Sequence, residues 1–234
     1  MTSIVFMAKG RNDMTTDIES LPKYTFKEEV MNSITHFCGF VFAVGTLLFF
    51  IIFQILNNLS FGYMVPFYVY SLIMMMVFFI SSFYHSSKFG SKRRAVVRVI
   101  DHCDIYAFVA ATYLPICVHA VANRSAALAI MIIEVSLALA GIVLNLIPSK
   151  SKTISIISYI IYIIDGWLMI FFYPFNIGLE FNVFLFVLIG GFVYSFGAIT
   201  YACGKKKKWF HSIFHIFVVL AAMIQFIGIL FILL

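Results

Sequence analysis

Residues 30–58 read VMNSITHFCGFVFAVGTLLFFIIFQILNN. No Lys, Arg, Asp or Glu interrupts this run before it closes on Asn57-Asn58. A helix rises ~1.5 Å per residue, so about 20 apolar residues cross the ~30 Å hydrocarbon layer of a bilayer. The run is long enough to do so. It shows none of the strict alternation that a membrane strand requires. We therefore read 30–56 as a transmembrane helix, and the same test decides the rest of the chain.

Six further blocks pass it. They cover about 64–87, after Phe61-Gly62-Tyr63; 100–121, ending near Asn123-Arg124; 126–147, stopped by Pro148-Ser149-Lys150; 153–174, ending at Pro174-Phe175-Asn176; 180–203, followed by Gly204; and 208–234. Hydrophobic residues make up 63% of the chain and charged ones 11%, against roughly 25% charged in a soluble domain. Folded as one water-exposed globule, the chain would lack the polar groups to cover its surface. The expected fold is all-α: a polytopic membrane protein, a seven-transmembrane-helix bundle, with a polar tail over 1–28 and one domain over 29–234. The tail has no apolar core ahead of a small-residue cleavage site, so no removable signal peptide is expected. Cys38, Cys103, Cys117 and Cys203 show no paired spacing and suggest no disulfide framework.

Charge sets the orientation. Lys9, Arg11, Lys23 and Lys27 precede helix 1. Lys88, Lys92, Arg93, Arg94 and Arg98 lie between helices 2 and 3, Lys150 and Lys152 between 4 and 5, and Lys205 to Lys208 between 6 and 7. Only Arg124 of the 16 basic residues falls on the other side. The basic side is expected to face the cytoplasm, which puts the N-terminus there and the C-terminus outside. The net charge of +6 thus reads as a topology signal and an anionic-lipid contact, with membrane lipids rather than nucleic acid as partners. No soluble partner is evident from the short loops, and the plasma (cytoplasmic) membrane is the expected location.

Polar residues in a membrane helix are costly, so each needs a reason. His85 ends helix 2, with Ser81 four residues earlier on the same face. Asp101 lies near the basic end of helix 3. His211 and His215 share a face at the start of helix 7, and Glu29, Asn32 and His36 share one at the start of helix 1. These residues come from distant parts of the chain to one membrane depth. Three neutral imidazoles with an open fourth position form the ligand set of a catalytic zinc site. His211 and His215 would supply two ligands and His85 the third. Asp101 could bond a metal-bound water or orient a ligand, and zinc lowers the pKa of such a water to about 7. Ser81 could donate to a developing oxyanion. Glu29, Asn32 and His36 are better placed around the ligands or in a network at the helix start.

A plainer reading stands beside this one. Histidines near the headgroups can simply be solvated, and Asp101 and Glu29 can serve as helix N-terminal caps. His102, turned roughly 100° from Asp101, and His119, at the far end of helix 3, read as structural. Trp209 and Tyr201 fit an interfacial aromatic belt, and Gly190-Gly191 and Gly197 suit close helix contact.

At these residues the sequence resembles the hemolysin III family and, more broadly, the progestin and adipoQ receptors. Glu29-Val30-Met31-Asn32-Ser33-Ile34-Thr35-His36 is similar to the family's opening motif. Ser81-Ser82-Phe83-Tyr84-His85 is similar to the motif ending helix 2. Asp101-His102 with Ile105-Tyr106 and Ala111-Thr112-Tyr113-Leu114-Pro115 resembles the helix 3 motif, and His211-Ser212-Ile213-Phe214-His215 the closing one. Each is weak alone; four in order, on one side of seven helices, are specific. The resemblance implies zinc held by His85, His211 and His215 with Asp101 and Ser81 beside it. The wider superfamily, which includes alkaline ceramidases, implies amide-bond hydrolysis on lipids. Leu114, Asp165 and Glu134 depart from what is expected; an acid inside the membrane is a functional suspect.

Three functions follow. The first is a zinc-dependent intramembrane hydrolase acting on a lipid amide or ester, or serving membrane-lipid homeostasis. The second is a pore-forming cytolysin, which seven resident spans without a secretion signal argue against. The third is a receptor or sensor whose zinc is purely structural.

Overall fold

The structure is a computed structural model and describes residues 24–147, 151–204 and 207–234. Residues 1–23, 148–150 and 205–206 lie outside the described residues. The described residues form seven long helices and no strand: α1 Phe26–Leu56, α2 Phe61–Ser86, α3 Lys92–Pro115, α4 Arg124–Leu146, α5 Lys152–Phe172, α6 Phe181–Gly204 and α7 Phe210–Leu230. Seven helices are long and apolar enough to cross a membrane. Each packs on the next in sequence, and α1 also packs on α7, so the bundle closes into a ring. The connections alternate between a basic end, where the chain enters α1 and where the α2–α3, α4–α5 and α6–α7 links lie, and an opposite end carrying Arg124.

Side-chain caps explain most helix starts. Thr25 and Glu28 form a reciprocal capping box ahead of α1. Ser60, Ser91 and Asn123 accept from the backbone N–H groups of Tyr63, Arg94 and Ala126. These caps move two boundaries. α1 begins at Phe26 rather than near 30, and α3 begins at Lys92 rather than near 100. Arg and Lys are good helix formers, so the basic stretch after Ser91 is the first two turns of a helix and not a loop. At the other end, α3 passes through Pro115 into one π turn, Ile116–Ala120.

The interior holds two apolar clusters. One joins α1, α2 and α7 through Ala43, Phe50, Phe67, Met74, Phe78 and Ala222, with Phe108 of α3. The other joins α3 to α4, α5 and α6 through Tyr113, Cys117, Ile130, Met169 and Val187. Large apolar side chains such as Leu48, Ile52, Leu128, Ile132 and Phe196 point outward, as a lipid-facing surface allows. Small residues set the closest approaches. A Cβ on Gly190 would lie 2.5 Å from Cγ of Gln225 in α7. A Cβ on Gly141 would lie 2.3 Å from Cε1 of Tyr106. The Tyr106 ring cannot swing away freely, because its hydroxyl donates to the Ser158 carbonyl oxygen of α5 at 2.9 Å. Tyr106 therefore ties α3 to both α4 and α5. Gly141→Ala should destabilise the bundle by about 1–3 kcal/mol through overpacking. Tyr106→Phe should cost about 1 kcal/mol through the lost hydrogen bond. Thermal unfolding in detergent would check both, and a Gly141→Ala midpoint equal to wild type would contradict the packing described.

Candidate metal centre

His85 sits one residue from the end of α2, and His211 and His215 occupy the first two turns of α7. All three meet at the basic end of the bundle. Nε2 of His211 lies 3.3 Å from Nε2 of His85 and 2.9 Å from Nε2 of His215. One ligand atom from each ring falls within 4.8 Å of the other two. His85 and His215 are buried and His211 partly so.

The protonation pattern follows from the neighbours. Nδ1 of His85 lies 2.7 Å from Oε2 of Glu29. A carboxylate only accepts, so Nδ1 carries the proton and Nε2 presents a lone pair toward His211. Glu29 also takes a hydrogen bond from Nη2 of Arg94, and Arg94 Nη1 donates to the Ser87 carbonyl oxygen at 2.8 Å. Arg94 is fully buried and stacks over the Tyr84 ring, with 4.7 Å from Cζ to the ring centroid. Carboxylate behind imidazole is the usual support for a metal-binding histidine.

The remaining motif residues fix the helices. Asn32 Oδ1 accepts from the Ser212 hydroxyl at 2.5 Å, linking α1 to α7 between the two histidines of α7. Glu28 Oε1 accepts from the Trp209 backbone N–H at 2.7 Å. Trp209 has φ of 68°, and this bond holds it at the entrance to α7. The His36 ring lies 3.9 Å from that of His215, and neither of its nitrogens has a partner. Tyr24 stacks on His211 with ring centroids 4.6 Å apart. Burial pushes the Tyr24 phenol above its usual range, so it covers His211 as a neutral ring.

Ser81 and Asp101 lie beside this centre rather than in it. Ser81 is buried and faces the Asp101 carboxylate. Oδ2 of Asp101 lies 3.8 Å from Nδ1 of His102, and no hydrogen bond joins it to His85, His211 or His215 among the described residues. Asp101 is in the third turn of α3 and Glu29 in the first turn of α1, behind Ser91 and Thr25. Neither is the cap that the plainer reading allows. His119 Nε2 donates to the Tyr63 carbonyl oxygen at 3.0 Å, at the opposite end. Tyr201 belongs to the centre's wall, its ring 5.7 Å from that of His211.

Arg94, Glu28 and Ser212 join the site without having been expected. The Thr25-x-x-Glu28 spacing is a capping signature and marks Glu28. Arg94 carries no such mark within its basic run, except that it lies seven residues, about two turns, before Asp101.

The three imidazoles fit a metal ion. Tetrahedral Zn–N bonds of about 2.0–2.1 Å put ligand nitrogens about 3.3 Å apart. The observed 3.3 and 2.9 Å separations are near that value. Two Nε2 atoms at such distances need a proton or a cation between them, and one cation could serve all three.

Comparison with known proteins gives the family. The sequence model of the family described as "Haemolysin-III related" matches residues 24–226. The "Hemolysin-3 homolog" of Bacillus subtilis (strain 168) is 32% identical over 209 residues, covering 89% of this chain and 95% of its own. "Hemolysin-3" of Bacillus cereus is 30% identical over 206 residues, covering 88% and 91%.

Glu29→Gln should weaken Zn(II) affinity by about 10- to 100-fold, because the amide no longer fixes the tautomer of His85. Competition against a chelator in detergent would measure it. Unchanged affinity would mean that Glu29 does not support the ligand.

Proposed function

The chain belongs to the haemolysin-III-related family, and from that premise we propose that it is a zinc-dependent intramembrane hydrolase that cleaves a lipid amide or ester. The observation carrying this reading is the convergence of the His85, His211 and His215 Nε2 atoms with Glu29 behind His85. A ligand set of three neutral imidazoles leaves the fourth position for water or substrate, as catalytic zinc sites do.

A lipid substrate is favoured by a cleft that reaches His85 from the Glu29 side. A cleft of about 710 Å³ opens between α1 and α2. Phe26, Val30, Ile34 and Phe89 give it apolar walls, and His85, Glu29 and Arg94 give it a polar floor. An acyl chain fits the walls, and a headgroup or linkage reaches the floor. Lys88 at the rim would favour an anionic headgroup.

Zinc held there would supply an acidified water and polarise a carbonyl oxygen. Glu29 keeps the His85 lone pair turned inward, and Arg94 keeps Glu29 ionised and in place. Tyr24 shields His211 from bulk water. Asp101, oriented by Ser81, would accept a proton from a water activated at this centre. In this reading the basic end faces the cytoplasm, with the N-terminus inside and the C-terminus outside, so the centre meets the inner leaflet of the plasma membrane.

Metal analysis of detergent-purified protein should give about one zinc per chain in wild type and little in His211→Ala/His215→Ala. Asp101→Asn should keep the zinc and lose lipid turnover by on the order of 100-fold or more, the range for a general base. Zinc in wild type without turnover on any lipid amide or ester, but with a loss of thermal stability on chelation, would make the metal structural and the hydrolase reading wrong.

A further inference from the structure

Far from the histidines, Glu134 of α4 and Asp165 of α5 are both fully buried, and apart from each other their four carboxyl oxygens have no hydrogen-bond partner among the described residues. The two carboxyls are each other's nearest charged neighbours across the α4–α5 contact. Glu134 is ten residues into α4, which runs from Arg124, and so lies ~15 Å along it, near the middle of a ~30 Å hydrocarbon layer. Asp165 is nine residues into the apolar span Ile156–Phe175, again near its centre.

The surroundings supply no counter-charge. From α3, the pair is faced by Tyr106 and Tyr113, from the π turn after it by Cys117, and from α5 itself by Tyr162. From α6, Tyr194 faces Tyr162. No Lys, Arg or His approaches either carboxyl among the described residues. Two carboxylates this close cannot both be ionised without a cation between them, and the apolar cluster around them enforces that.

A second feature points at the same place. The Tyr113 hydroxyl, in a side chain only 3% exposed, accepts from the Met169 backbone N–H at 3.0 Å. Its own O–H finds no acceptor among the described hydrogen bonds, and Glu134 and Asp165 are its acidic neighbours. A donor is thus left over beside a pair that needs one. A polar trail also leads away from the pair. Tyr162 meets Tyr106 edge to face at 6.1 Å, and the Tyr106 hydroxyl meets Ser158 Oγ at 2.8 Å. Asn145 donates to Ser158 Oγ at 2.9 Å, one residue before the end of α4 at the basic end.

We propose that Glu134 and Asp165 form a proton-binding site at the membrane centre, one proton being held between their facing oxygens, with the Tyr113 hydroxyl beside them. This site is independent of the metal centre and of the hydrolase reading.

Infrared spectra of the full-length protein in detergent would test it. Relative to wild type, Glu134→Gln/Asp165→Asn should lose the carbonyl band of one neutral carboxyl and the band of one carboxylate. Loss of two neutral-acid bands, or of none, would overturn the shared proton. Dicyclohexylcarbodiimide, which attacks neutral carboxyls in apolar surroundings, supplies the second measurement on wild-type protein. One adduct on the peptide bearing Glu134 or Asp165, equal in sodium and choline chloride, is expected. Protection by sodium would make this a sodium site instead, and absence of any adduct would remove the neutral acid.

Discussion

The candidate metal centre depends on one carboxyl group shared by three helices. Glu29 enters from α1, accepts a hydrogen bond from His85 of α2 and is held by Arg94 of α3. A guanidinium this deeply buried is tolerable only beside an anion, and the anion only beside the guanidinium. Removing one partner of such a buried pair typically costs about 3–5 kcal/mol, because the other is left uncompensated. The pair therefore acts less as a source of stability than as a constraint: α1, α2 and α3 have one arrangement in which neither charge is stranded. In that arrangement the His85 lone pair points at α7. The Glu28 and Asn32 bonds then fix α7 itself, at Trp209 and Ser212.

The two buried polar systems divide the bundle. The histidines cap the apolar cluster of α1, α2 and α7 at its basic end, and the carboxyl pair sits within the cluster of α3 to α6. α3 belongs to both. It brings Arg94 to the first and Tyr113 to the second, and Tyr106 lies between them along the same helix. One helix thus bears on two kinds of chemistry at different depths, which explains why it carries more polar residues than its neighbours.

Much of this was legible in the sequence, for physical reasons. Apolar blocks of membrane length mark their own helices, and the alternation of basic links gives their count. His211 and His215 announce a shared face by spacing, and His85 joins them by depth. What escaped was whatever depends on where helices start and how they face. The first turns of α3 look like a loop because they are basic, although Ser91 caps them. Arg94 is hidden among surface cations, and only the fold separates it from Arg93 and Arg98. Glu134 and Asp165 each stand out as costly, but nothing in one dimension says that they face each other.

The α1–α7 contact closes the ring between the first and last spans of the chain. Glu29 and His85 can meet once three helices have entered the bilayer, yet His211 and His215 arrive only with the seventh. During synthesis the cluster is therefore half-built for most of the chain's passage into the membrane, with Glu29 and His85 already in place and the two histidines of α7 missing. A metal held by the three histidines would be captured only as the last event of biogenesis, and would mark that every span had been inserted in register.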